Sequence, residues 1–319
     1  MSVKFYVGLA SFLISLSSII LNLLIFFPTF RLAFIAKRSS VYIIAFFNII
    51  SDLTQLSIIC FYLSISIMED SYIFVGDRES TLGVILGTIW LTAWYFDGLI
   101  QPIMAVNRLC IITLKNYDIF TFKSTISIFI ALIAITTSLS VSGQYFYPCC
   151  TFVFDHKLVS FLFVPHDGLF DYTYKQCLVI NCISIIPSTI CYGSVFISIR
   201  NAQKDATKLK GGSHSKQNNK DVKYLMQFFF ISVFYLLVVI SFEVLPRVVP
   251  AGVVEWFWSV ALLMILNATS NSVIFLLCNK EIQNALRFPW KKNLRSGSIF
   301  STTNATRASI LSVRHSIQA

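Results

Sequence analysis

Charge is what this chain has least of. Only 13% of its 319 residues are charged, against 56% apolar, where soluble domains carry roughly 25% charged residues. A surface so poor in charge cannot be wetted all round, and a mean hydropathy of +0.73 points to lipid. Histidine is nearly absent as well. The four present (His156, His166, His214, His315) fall outside the apolar blocks, so no His/Glu metal cluster or His-based catalytic centre is built into them. No block carries paired acids in a protease-like Gly-x-Gly-Asp setting, which argues against an enzyme. Twelve glycines and no visible internal repeat argue against the broken, duplicated helices of a transporter. The last apolar block lacks lysine, which excludes a Schiff-base chromophore there.

What is present is a set of seven apolar blocks, near 5–28, 41–66, 82–106, 124–145, 176–199, 224–246 and 256–278. A hydrocarbon core of about 30 Å takes roughly 20 residues of helix to cross. Backbone in lipid must satisfy its own hydrogen bonds, so each block is expected to be a helix. The first block is longer than the usual apolar region of a secretory signal and has no small-residue cleavage site, so it counts as helix 1. Of the 25 Lys and Arg, 20 fall in alternate gaps and in the tail, leaving Lys4, Arg78, Lys157, Lys175 and Arg247 on the other side. Cytoplasmic loops carry the cationic excess, so the amino terminus is expected outside and the tail inside. The net charge of +10 then matches an anionic inner leaflet and needs no nucleic acid. The expected fold is an all-α seven-transmembrane bundle over 1–290, followed by a disordered, basic, Ser/Thr-rich cytoplasmic tail over 291–319.

Between the blocks, three features stand out. The second outer loop alternates Phe152, Phe154, Leu158, Phe161 and Phe163, a pattern for a short hairpin over the helix mouths. The inner loop 200–223 is polar, basic and broken by Gly211 and Gly212, a linker with helical extensions at its ends. From Glu281 to Phe288, Ile282, Ala285 and Leu286 share one face before Pro289, an amphipathic helix along the inner surface. Cys149, Cys150 and Cys177 bracket the outer loop in an oxidising compartment, so one disulfide is expected there, from either Cys149 or Cys150.

Polar residues inside the blocks are costly in lipid, by at least about 2.5 kcal/mol for a charge. Asp52 lies mid-way in helix 2, with Asn48 and Gln55 on its face. Helix 3 carries a stripe of Trp90, Trp94, Asp97, Gln101, Met104 and Arg108 in steps of three and four. Helix 7 adds Asn267, Thr269, Ser270 and Asn271, and helix 1 adds Asn22. These are expected to converge on the bundle axis as one network of Asn22, Asp52, Asp97, Asn267 and Asn271. Two readings stand side by side. The network is hydrogen-bonded glue between helices, or Asp52 and Asp97 share a cation or a proton that biases the packing, since two carboxylates at one site cannot both stay ionised without counter-charge. Arg108 likewise either snorkels to the inner interface or serves a partner there.

The segment Asn107-Arg108-Leu109-Cys110, followed by Tyr117, Asp118, Ile119, Phe120 and Thr121, resembles the third-helix end and second inner loop of rhodopsin-like G-protein-coupled receptors. It is most similar to the nematode serpentine receptors of class X. The stretch Cys150 to Asp155, then Phe161 to Phe163 and Gln176-Cys177, is similar to that family's second outer loop. The resemblance covers about 5–290, and Asn22, Asp52, Arg108, Pro187 and Asn271 fall on the family's polar and kink positions. It implies a chemosensory receptor for an environmental or pheromone-like small molecule, with no cofactor. It also implies a heterotrimeric G protein at Asn107, Arg108 and Tyr117, a receptor kinase or arrestin at the tail, and residence in the plasma membrane, in a sensory cilium. Cys150 with Cys177 is the disulfide it suggests, with Cys149 the alternative.

A ligand is expected between the outer ends of helices 3, 5, 6 and 7, near Trp90, Trp94, Glu243, Trp256 and Trp258, although Trp at helix ends also marks the interface belt. Departures from the wider superfamily include Asn107 for the acid that precedes the Arg, Ser272 for Pro and Phe275 for Tyr in helix 7. Helix 6 has no Trp-x-Pro and helix 3 no opening Cys. The rival reading is a seven-helix transporter or ligand-gated channel.

Overall fold

The structure is a computed structural model, and it describes residues 3–74, 77, 80–116, 118–147, 150–164, 170–208, 232–245, 247–248 and 254–287. The helices, in chain order, are α1 (Val3–Ile35), α2 (Ser40–Glu69), α3 (Thr81–Thr113) and α4 (Phe122–Phe146), then α5 (Tyr172–Lys208). They are followed by α6 (Ser232–Leu245), α7 (Trp258–Cys278) and α8 (Lys280–Arg287). Among the described residues, six are long and apolar enough to cross a membrane, and α6 is a shorter apolar helix. The expected tail at 291–319 and most of the inner linker lie outside the described residues.

The helices begin where side chains relieve their unpaired N–H groups. Ser39 accepts from the Val41 amide, Ser80 from Gly83 and Thr121 from Ser124. Asp171 accepts from the Tyr174 amide at 2.8 Å. Asn279 turns the chain between α7 and α8, its Oδ1 accepting from the amides of Glu281 and Ile282 at 3.0 and 3.2 Å. The amphipathic face expected for α8 is present: Ile282 and Ala285 are buried against the bundle. Each of α1 to α4 contains one wide π-helical turn, and that of α3 (Leu109–Thr113) follows Arg108 directly.

Among the described residues, the fold departs from an all-helical one in a single place. Two antiparallel strands, β1 (Thr151–Asp155) and β2 (Ser160–Val164), pair in the second outer loop, Phe152 opposite Phe163 and Phe154 opposite Phe161. Aromatic residues two apart on each strand fall on one face, so four Phe side chains are directed together into the bundle mouth, while Leu158 sits in the turn rather than in a strand. The hairpin is docked by backbone. Gln144 of α4 donates to the Phe152 carbonyl at 3.1 Å and accepts from its amide at 2.9 Å, acting as a short extra strand. On α3, a Cβ at Gly87 would stand 2.5 Å from the same carbonyl, so only glycine admits this approach.

Two apolar layers fill the interior. The outer layer gathers Trp90, Trp94, Phe152, Phe161, Tyr235 and Val238. The inner one gathers Ile25, Ile43, Phe129, Tyr192 and Phe275. The polar residues lie between and across them.

Candidate functional site

All six residues of the α3 stripe are buried, from Trp90 at 1% exposure to Arg108 at 7%. One helix face therefore carries aromatic, acidic, amide and cationic side chains in order from outside to inside. Around its middle the helices meet through polar groups. Asp52 Oδ2 accepts from Asn48 on its own helix and from Asn271 on α7, both at 2.9 Å. Asp97 Oδ2 accepts from Asn267, also on α7, at 3.3 Å. Ser272 donates to Asn22 Oδ1 at 2.6 Å, and Asn22 donates to the Ala268 carbonyl at 3.3 Å, which ties α1 to α7. Thr269 donates to Ser18 at 2.7 Å, and Ser51 of α2 donates to the Ala93 carbonyl of α3 at 2.8 Å. The five residues expected to form the network thus fall in three hydrogen-bonded groups, each anchored on α7: Asp52 with Asn271, Asp97 with Asn267, and Asn22 with Ser272.

The groups have unsatisfied oxygens. Oδ1 of Asp52 and Oδ1 of Asp97 are buried without a hydrogen-bond partner, as are the Oδ1 atoms of Asn48, Asn267 and Asn271. The two carboxyls feel each other's charge. A buried polar group without a partner costs about 1–3 kcal/mol, more if charged. Five acceptors with no donor among them fit an occupant that supplies positive charge, a hard cation or a proton.

At the inner end, Asn107 donates to Ser40 of α2 at 3.1 Å, and Tyr42 donates to Glu281 of α8 at 2.9 Å. Asn107 thus ties α3 to α2, where an acid would have faced Arg108. Arg108 lies within electrostatic reach of Tyr192 on α5. Its burial shows that it does not reach freely to the interface. Tyr117 lies outside the described residues.

The expected ligand set does not converge. Trp90 and Trp94 stack on each other at 5.9 Å between centroids, Trp90 on Phe152 at 5.0 Å, and Trp94 on Tyr235 at 5.0 Å. The space left among these rings is about 10 Å³, less than one water-sized site. Glu243 is engaged elsewhere, accepting from the Tyr174 hydroxyl, with Arg247 at 3.5 Å. Trp258 donates its indole N–H to Ser11 of α1 at 2.7 Å, on the α1 side of the mouth. Trp256 is 61% exposed. The physical reason is the hairpin, whose Phe side chains occupy the mouth that a ligand was expected to fill.

The suggested Cys150–Cys177 disulfide is also absent: the two are buried and not joined to one another. Cys177 faces the bundle within α5, its Sγ accepting from Asn181 at 3.8 Å. Cys149 lies outside the described residues.

Several residues that shape the site gave little sequence signal. Tyr235 donates to Asn181 at 3.0 Å between α6 and α5, and its hydroxyl comes so close to Gly98 of α3 that a Cβ there would stand 2.6 Å away. Gln144, a lone amide at the outer end of helix 4 beside a loop with strand alternation, could have been found by asking what pins that loop.

The comparisons agree with this architecture. The crystal structure of squid rhodopsin superposes with a TM-score of 0.70 at 13% identity, covering 90% of this chain and 86% of that one, a likeness of fold. No curated protein sequence matches significantly. The family model described as "Serpentine type 7TM GPCR chemoreceptor Srx" matches residues 12–279, and the chain belongs to that family of seven-helix membrane receptors.

Proposed function

We propose that this receptor sits in the plasma membrane, binds a small molecule and passes the event to a heterotrimeric G protein at the inner end of α3. The observation that carries the reading is the buried stripe of α3. It joins an aromatic mouth to Arg108 through Asp97, beside a second buried acid, and α7 is bonded to both acids. A ligand that separates the rings around Trp90 and Trp94 favours one packing of α3, α5 and α6 over another. Moving such an equilibrium from 1:99 to 99:1 takes about 5.5 kcal/mol of differential affinity. Loading of the Asp52–Asp97 site with a cation or a proton biases the same equilibrium from the middle. Arg108, with Asn107 and Tyr117, serves the G protein, and a receptor kinase or arrestin serves the Ser/Thr-rich tail.

The test is a reporter-cell assay of odorant pools on wild type and Arg108→Ala, with surface expression matched. A ligand response in wild type that Arg108→Ala abolishes is the expected result. A ligand-evoked current that persists with G proteins blocked would support the channel reading instead, and a response unchanged in Arg108→Ala would remove the role given to that side chain.

A further inference from the structure

One cavity among the described residues stands apart from the outer mouth. It lies deeper, between α3, α5 and α6, with a volume of about 520 Å³, within the roughly 300–1,000 Å³ of small-molecule sites. Its wall is mostly apolar, yet it holds an unusual number of idle polar groups. Both polar atoms of the Gln101 side chain, the Ser184 hydroxyl, the Tyr192 hydroxyl and the Ser232 hydroxyl are buried without a hydrogen bond. Gln101, Ser184 and Tyr192 are 2%, 0% and 6% exposed. Gln101 stands one turn below Asp97, and Tyr192 faces Ser232 from α5 to α6; each pair is close enough to interact, yet none of the Gln101, Tyr192 and Ser232 polar atoms meets a partner in hydrogen-bond geometry. Buried groups of this kind are normally satisfied. Three helices carry them just behind the wall of one space, where a change of rotamer brings them to the polar atoms of an occupant.

Access is sideways. The cavity wall includes Gly193 and Phe196 of α5 and Leu236 of α6, all exposed on the lipid-facing side. The way in from the outer water is closed by the ring cluster under the hairpin. No described lining residue is charged, so an ion entering among them would lose its hydration with no counter-charge to replace it. Gln101 can donate and accept, and each hydroxyl can do either.

We propose that this cavity binds an uncharged, membrane-dissolved amphiphile, its hydrocarbon body between α5 and α6 and its hydroxyl, carbonyl or amide head on Gln101, Ser184, Tyr192 and Ser232. The site is separate from the Trp90–Trp94 mouth and stands whether or not the proposed G-protein coupling holds. If that coupling does hold, occupancy reports to Arg108 through Tyr192, which lies within its electrostatic reach.

The test is photolabelling of the full chain in membranes with a diazirine-bearing long-chain alcohol, mapped by mass spectrometry. Labelled peptides are expected to come from the α5 and α6 walls, and unlabelled alcohol to compete while the matching permanently charged alkyl sulfonate does not. Gly193→Phe should lower labelling at least tenfold. A Cβ at Gly193 meets nothing within 4 Å, so the wall admits a side chain there and the ring takes up cavity space. Mapping on wild type decides the matter even if the variant expresses poorly. Labelling spread over the lipid faces of α1 and α4, or unchanged in Gly193→Phe, would overturn the site. Equal competition by the sulfonate would overturn the uncharged head group.

Discussion

Asp97→Asn separates the two readings of the polar core. Asparagine keeps the shape of the side chain and an oxygen to accept from Asn267, now 3.3 Å from Asp97 Oδ2, but removes one of the two buried acids. At an effective dielectric constant of 20, two ionised carboxylates repel by roughly 2–3 kcal/mol over separations of about 5–8 Å. A cation present at 100 times its dissociation constant offsets this by about 2.7 kcal/mol. At roughly 2–4 °C per kcal/mol for a chain of this order of size, wild type in detergent is expected to melt about 5–10 °C higher in saturating sodium than in choline. If a shared proton does the work, the gain follows acidification instead. Asp97→Asn should lose the sodium dependence and should melt at or above the sodium-free wild type, while Asp52, still buried, keeps part of any acid dependence. The assay is thermal denaturation by thiol-reactive or intrinsic fluorescence across sodium concentrations. A variant as sodium-dependent as wild type would refute the shared site. A variant several kcal/mol less stable would show that the carboxylate is glue between helices and nothing more.

Three other outcomes follow from the packing. Asn22→Ala removes the acceptor of Ser272 and the donor to the Ala268 carbonyl, and should cost about 1–2 kcal/mol, read as a melting shift of a few degrees. Gly87→Val drives two methyl groups toward the Phe152 carbonyl and should lift the hairpin, seen as faster proteolysis at its turn; Gln144→Leu should do the same by cutting both backbone bonds. His156, in the hairpin turn, is buried and lies among Asp155, Asp70, Lys4 and Lys157, with burial the largest influence, and its pKa is held below the usual 6.5. A histidine kept neutral by folding lends stability that is complete above about 6.5 and is lost as pH falls from there toward the folded value. Wild type should therefore lose more melting temperature between pH 7.5 and 5.5 than His156→Gln does.

Seven apolar blocks and the α3 stripe were legible because lipid imposes one rule along the whole chain: polar atoms turn inward. The same rule placed Asp52, Asp97, Asn267 and Asn271 on one axis, since each would be costly anywhere else. The alternating Phe residues gave the hairpin, yet not its depth. That depth depends on Gly87 and Gln144, two unremarkable residues whose role appears only when the Phe152 backbone lies between them. For the same reason the five residues of the ligand set do not meet around one space. Aromatic residues at helix ends look alike in sequence whether they line a pocket or fill it, and here Phe152 and Phe161 fill it. The cavity behind Gln101 was illegible because Ser184, Tyr192 and Ser232 come from two helices whose relative rotation no periodicity fixes.

Which side of the membrane Arg108 faces decides more than any other single fact. A peptide tag in the hairpin turn at Lys157 and another in the loop 209–223 should be probed with an impermeant label on intact cells, then after permeabilisation. The account requires the Lys157 tag to react on intact cells and the inner-loop tag to react only after permeabilisation. The reverse pattern, or both tags reacting on intact cells, would contradict it, because Arg108 could not then meet a cytoplasmic G protein.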